Sequence, residues 1–475
     1  MKKETLFWGL GGIAFLVAMI ALAVAINLNY NNTDTASSDA INIDNGDAKI
    51  DWDSYPSYTV ELTNSYEITA PGTYYLSGTI EGGGISIKLV DNGVARLVLN
   101  GVSIKNSSGP AIACYSGEDL VIETKGVNYL EDGNSYTGYD EDVKGAIYTK
   151  TDLTLNGDGI LNVKANYEDA IVSKDDLKIN GGTYNITASD DGIRGKDSVY
   201  IIDGKITISA KGDGIKSNND KDNAKGFILI TGGEVNIDKS YEGLEARKVI
   251  IDDGVVTIYS NDDGINTAGT TDGTSTNSNN PFDSNENNVI TINGGSVYVN
   301  SAGDGLDSNG YIYINGGNVV VDGPTNSGNG ALDAGAGIIM NGGTAVAVGA
   351  SGMAGDLGNS SAIYSASIFF ASTLPKDTLI EIKDSAKNTI ISHTSAKTFS
   401  HMAVGSSAFK SGETYTIYIN GSEYDSFTIL ETVTVVGNGG NMRPGNTPTE
   451  GRPAGNQPTG GAPAGNPPTG GGQKR

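Results

Sequence analysis

The tripeptide Asp-Gly-Ile at residues 191–193 returns at residues 213–215, and it belongs to a longer repeat. "LKINGGTYNITASDDGI", "VYIIDGKITISAKGDGI", "ILITGGEVNIDKSYEGL", "VIIDDGVVTIYSNDDGI" and "ITINGGSVYVNSAGDGL" align so that a turn glycine (182, 204, 233, 254, 295) stands ten residues before a corner glycine (192, 214, 243, 264, 305). A period near 22 suits either leucine-rich repeats or a parallel β-solenoid. The leucine-rich consensus and its helical half are missing. Each copy instead divides into three short strand-like pieces separated by Gly/Asn/Asp turns. The expected fold is therefore all-β, a parallel coil whose rungs stack about 4.8 Å apart with aliphatic side chains inside. Ile112, Ile147, Ile171, Ile193, Ile215, Leu244, Ile265, Leu306 and Leu332 form one such core column.

Around this coil the chain changes character. Residues 1–27 hold an uncharged run, Leu6 to Ile26, long enough to span a bilayer or to serve as a signal peptide; either places the rest outside the cell, at the surface or secreted. Residues 28–57 read as a linker, 58–355 as the coil, 356–436 as a β-rich antiparallel cap, and 437–475 as a Gly/Pro-rich tail without core-forming residues. Two loops, "NNDKDNA" and "TDGTSTNSNNPFDSNENN", are expected to bulge from a corner where the interval lengthens. His393 and His401 are expected at the surface on a strand pair of the cap. The 67 glycines argue against long helices beyond the N-terminal transmembrane or signal helix. A formal net charge of −25 argues against nucleic acid as a partner and for cation binding or simple solubility. The single Cys114 can build neither a disulfide nor a thiolate metal site.

Stacking brings Asp169, Asp191, Asp213, Glu242, Asp263 and Asp304 into one column, with Asp190 and Asp262 beside it. The glycine is explained by the corner, which needs either positive φ or close backbone approach. The acid is not, since Asn or Ser would serve a turn without charge. Two carboxylates one rung apart repel by about 1 kcal/mol at the dielectric of water and by about 3.5 kcal/mol at an effective value of 20. Arg194 and Lys216, which follow the core aliphatic, supply part of the counter-charge, with Lys211 near; other rungs put Glu245, Asn266, Asp307 and Asp333 at that place. There a hard cation is the better partner, and Ca²⁺ accepts carboxylates in flexible geometry. Ordinary Asp-Gly turn chemistry with solvated charges is the alternative.

"ITAPGTYYLSGTIEGGGISIKL", "VARLVLNGVSIKNSSGPAI", the serial rungs and "FKSGETYTIYING" resemble the clostridial cell-surface carbohydrate-binding, calcium-binding β-helix family. The resemblance implies a right-handed parallel β-helix similar to pectate lyases, bound calcium, and binding of plant cell-wall polysaccharides such as cellulose and polygalacturonate. Tyr167 and Tyr241, each just before an acidic corner, are candidate sugar contacts because aromatic faces stack on sugar rings. Two other functions remain open. A polysaccharide lyase would use calcium to neutralise a uronate and Arg194, Lys211 or Lys216 as base. A surface spacer would use the coil only as a rigid rod.

Overall fold

In a computed structural model the chain is described over residues 50–90, 93–267 and 287–438. Each rung carries three strands. In one, Asp176–Ile179 turns through Gly182 into Thr183–Thr187 and then into Ile193–Gly195. Each strand pairs in parallel with its counterpart a rung on: Leu177 with Val199, Ile186 with Ile208, Ile193 with Ile215. The third ladder is an eleven-stranded sheet of its own, from Tyr66–Ile68 to Leu332–Ala334. The other two merge at the start of the coil because Ala95–Lys105 rounds the corner unbroken, pairing with Asp119–Lys125 by its first half and Val127–Glu131 by its second.

The period-two alternation of each strand decides what enters the core. The expected aliphatic column is continuous from Ile112 through Ile193 and Ile215 to Leu332, each residue opposite the next and buried. Burying each contributes about 1.5–3 kcal/mol. The two glycines of the repeat do different work. Gly182, Gly204, Gly233, Gly254 and Gly295 have φ between +73° and +116° and are needed for the turn itself. The corner glycines lie in ordinary backbone but under the next rung: a Cβ on Gly243 would sit 2.2 Å from the Gly264 carbonyl oxygen, and one on Gly214 would sit 2.6 Å from that of Gly243. Close approach, not left-handed backbone, explains the Gly of Asp-Gly-Ile.

Of the two expected loops, "NNDKDNA" is a turn-rich excursion held by Asp197, whose carboxylate accepts from Asn219 Nδ2 at 2.6 Å, while Arg247 reaches the Asp222 carbonyl at 3.0 Å. The second loop falls almost wholly outside the described residues, as do the apolar run at 1–27, the linker up to residue 49 and the tail from 439. Among the described residues no helix is long and apolar enough to cross a membrane.

Past the last coil strand, Thr344–Gly349, pairing becomes mainly antiparallel, although Ser365–Leu374 pairs in parallel with Val433–Val436. Phe399–Ser406 adds to that strand and to Ser365–Leu374, and a separate antiparallel sheet orders Thr389–Thr394, Leu379–Lys383, Thr414–Ile419 and Ser422–Thr428 over a second core around Phe399, Met402 and Tyr415. The histidine expectation is corrected here. His393 and His401 lie on strands of different sheets, and neither is a surface residue. His401 is buried against Phe369, 2.9 Å from Ser367 Oγ, and burial pushes its pKa down to about 4. His393 Nε2 donates to Asp322 at 3.0 Å, beside bonds to the same carboxylate from Tyr298 Oη (2.8 Å) and Ser395 Oγ (3.2 Å). Buried Asp322 thus ties the cap to the coil.

Candidate functional site: an acidic column beside a mixed-charge groove

On the third ladder the residue after each core aliphatic faces outward. In register these are Val172, Arg194, Lys216, Glu245, Asn266, Asp307 and Asp333. The line therefore runs from apolar through cationic to acidic along the coil, and it flanks the corner acids rung by rung.

The corner acids stack as expected and form a ladder of their own. Oδ1 of Asp169 accepts the Asp191 N–H at 3.1 Å, that of Asp191 the Asp213 N–H at 2.8 Å, that of Asp213 the Glu242 N–H at 3.1 Å, and that of Asp263 the Asp304 N–H at 2.6 Å. One oxygen of each carboxylate thus fastens two rungs, a duty Asn could share. The other oxygen is what demands a cation. Asp169 Oδ2 and Glu242 Oε2 are buried with no hydrogen-bond partner.

Among the described residues three groups of acids bring ligand atoms within 4.8 Å of one another: Asp169–Asp190–Asp191, Asp213–Glu242–Glu245 and Asp263–Asp304–Asp307. The first faces the Arg194 guanidinium, 3.6 Å from Asp169 and 3.8 Å from Asp191. The second encloses the Lys216 ammonium, 3.0 Å from Asp213 and 2.5 Å from Glu245. Burial alone would lower the Lys216 pKa; Asp213, Glu245 and Asp191 outweigh it and raise it. The third group has no ion pair to lysine or arginine among the described residues. Burial, then the mutual repulsion of Asp263, Asp304 and Asp333, pushes Asp307 up to about 8 and Asp304 to about 7; burial lifts Asp263 to about 6. Glu242 and Glu245 rise to about 8 and Asp169 to about 6, all chiefly by burial, and Asp191 is raised by burial and by its neighbours Asp169 and Asp213. An oxygen-only donor set of buried carboxyls with raised pKa values fits a hard divalent cation, and the third group, which has no lysine or arginine pair among the described residues, fits it best.

The remaining candidates are spread around this column. Asp262 meets the hydroxyl of Tyr241, which pushes that phenol up to about 12, and Asp333 continues the outward line beside Asp307. Tyr241 is 51% exposed at the rim. Tyr167 stacks on Tyr136 at 4.5 Å, which leaves one face to solvent. Tyr136 and Tyr139 belong to an aromatic cluster that sequence reasoning missed, although the stretch "NSYTGYD" between two strands carried the signal. Arg194, Lys211 and Lys216 do converge, in a groove of about 840 Å³ that also holds Lys174 and Lys196.

The described coil is thus a parallel solenoid with carboxylates stacked along one corner and an open charged groove beside them. A family model described as carbohydrate-binding domain-containing protein matches residues 63–330, and the chain belongs to that family. A carbohydrate-binding domain-containing protein of Acetivibrio thermocellus is 38% identical over 127 residues, 26% of this chain and 44% of that protein, so the chain matches less than half of that relative's length. Among solved structures, the polysaccharide lyase-like protein from C. thermocellum, a gadolinium derivative, aligns at 28% identity with a TM-score of 0.38, over 51% of this chain and 92% of that one.

Proposed function

We propose that this protein is an extracellular, non-catalytic polysaccharide-binding module, held at the cell surface or secreted through residues 1–27, that carries calcium on its acidic column and recognises plant cell-wall polymers such as cellulose and polygalacturonate. The observation that carries this reading is the group Asp263–Asp304–Asp307, three clustered carboxylates whose pKa values are raised. Calcium there supplies the missing charge and, with coordination positions to spare, can bridge to sugar carboxylates. Tyr241 and the exposed face of Tyr167 offer stacking surfaces for sugar rings. Two of the three candidate lyase bases, Arg194 and Lys216, are committed to ion pairs with corner acids, which keeps both charged and unsuited to take a proton.

The test is a pull-down of the full chain on insoluble cellulose and on polygalacturonate gel, in calcium and in chelator, with Asp304→Asn/Asp307→Asn as the site variant. Retention on at least one polymer that weakens on chelation and in the variant is expected. Protein that stays in the supernatant under every condition overturns the reading. Accumulation of unsaturated uronate with native protein would replace it by the lyase.

A further inference from the structure

Among the described residues three lysines of the groove have no ion-pair partner: Lys174, Lys196 and Lys211. That is unexpected in a chain of net charge −25, where acids outnumber bases 56 to 31. Lys174 and Lys196 follow consecutive strands of the third ladder, Asp169–Ser173 and Ile193–Gly195, with the Lys174 N–H bonded to Thr149 and the Lys196 N–H to Ser173. Their positions are therefore one rung, about 4.8 Å, apart on one bank. Lys211 stands on the opposite bank, two residues before Asp213. Between the banks lie Val172, Arg194 and Lys216. Half of the acids here are answered from within, Asp169 and Asp191 by Arg194 and Asp213 by Lys216; Asp142 accepts from the Tyr148 hydroxyl at 3.0 Å, a bond that does not neutralise it, and Glu141 and Asp190 are exposed on the rim. Burial lowers the Lys174 pKa, and the positive charges of Arg194, Lys144 and Lys196 lower it further against a single opposing carboxylate, Asp142.

From this we infer that the groove over the Lys174, Lys196 and Lys211 rungs is a direct, metal-independent subsite for the carboxylates of an acidic polysaccharide, separate from the Asp263–Asp304–Asp307 group a few rungs on. The inference rests on the polysaccharide-binding reading and divides the face in two. A polyuronate lying along the coil axis meets ammonium groups over one part and an acidic surface that needs a bridging cation over the next. Ammonium groups at one-rung spacing favour repeated carboxylates over an isolated small anion.

The experiment is binding of the full chain to polygalacturonate, and to the same polymer methyl-esterified, in chelator at low and at moderate salt. Lys174→Gln/Lys196→Gln/Lys211→Gln and the single Lys196→Gln are the variants. The expected result is residual binding in chelator that weakens with salt, falls about tenfold in the triple variant (three contacts at roughly 0.5 kcal/mol each, two exposed and one half-buried) and is smaller for the esterified polymer. The single variant, at an exposed position, should show a smaller loss with an unchanged melting curve. Loss of all binding on chelation, undiminished binding of the triple variant, or equal binding of the esterified polymer overturns the subsite. Those outcomes leave calcium-dependent retention intact, so failure here is distinct from failure of the general function.

Discussion

Lys216→Met removes the charge at the centre of the second acidic group while keeping the length of the side chain. The ammonium lies 3.0 Å from Asp213 and 2.5 Å from Glu245, and its side chain is only 12% exposed. At an effective dielectric of 20 the contact with Asp213 is worth about 5.5 kcal/mol before the cost of dehydrating the two charges. Breaking such a pair from one side typically costs 3–5 kcal/mol. The lower end applies here, because Glu245, raised to about 8 chiefly by burial, already holds a proton in most molecules at pH 7, so the ion pair broken is mainly that with Asp213. A loss of about 3 kcal/mol is therefore expected in chelator, read as a lowered urea midpoint. Calcium should reverse much of it, since Asp213, Glu242 and Glu245 would then be open to an ion, and saturation at 100 times the dissociation constant contributes about 2.7 kcal/mol. Metal analysis of the variant should show one ion more than the native protein. An unchanged midpoint in chelator, or a calcium response identical in both proteins with no added ion, would refute the view that Lys216 stands where another rung takes a metal.

Gly243→Val should cost about 3 kcal/mol in urea unfolding, since its Cβ meets the Gly264 oxygen at 2.2 Å and Ile258 Cγ2 at 2.4 Å; a loss under about 0.5 kcal/mol would contradict the close-approach account of the corner. Buried His401, with a folded pKa near 4 against 6.5 for the free side chain, stays neutral while the unfolded chain takes up a proton. Its contribution is full above pH 6.5 and declines by up to about 3 kcal/mol towards pH 4, so His401→Gln should flatten that part of the stability–pH curve; parallel curves would count against it. Asp322→Ala strands Tyr298, His393 and Ser395 at the junction of coil and cap and should cost about 3 kcal/mol, with faster proteolysis across residues 389–406 as the direct readout. Resistance equal to the native protein would show that the cap is held by its apolar core alone.

The stacking was legible from the chain because a solenoid converts sequence period into vertical neighbourhood. Once the corner glycines align, Ile193 must lie on Ile215 and Asp191 beside Asp213, whatever the rest does. The same logic located the acid column and told the rungs with Arg194 or Lys216 from those with Asp307 or Asp333, but it put Glu245 among the rungs without a cation, whereas Lys216 reaches across to it. That Arg194 and Lys216 neutralise two groups from within while Asp263, Asp304 and Asp307 have no such cation depends on which way long side chains bend across a rung. Burial of His401 and Asp322 was equally hidden, because the first rests on Ser367 and Phe369 more than thirty positions away and the second on His393 and Ser395 some seventy away, which no local period encodes. Local repetition fixes what repeats; side-chain reach and long-range docking decide charge balance, and with it where this surface can hold an ion or an acidic sugar.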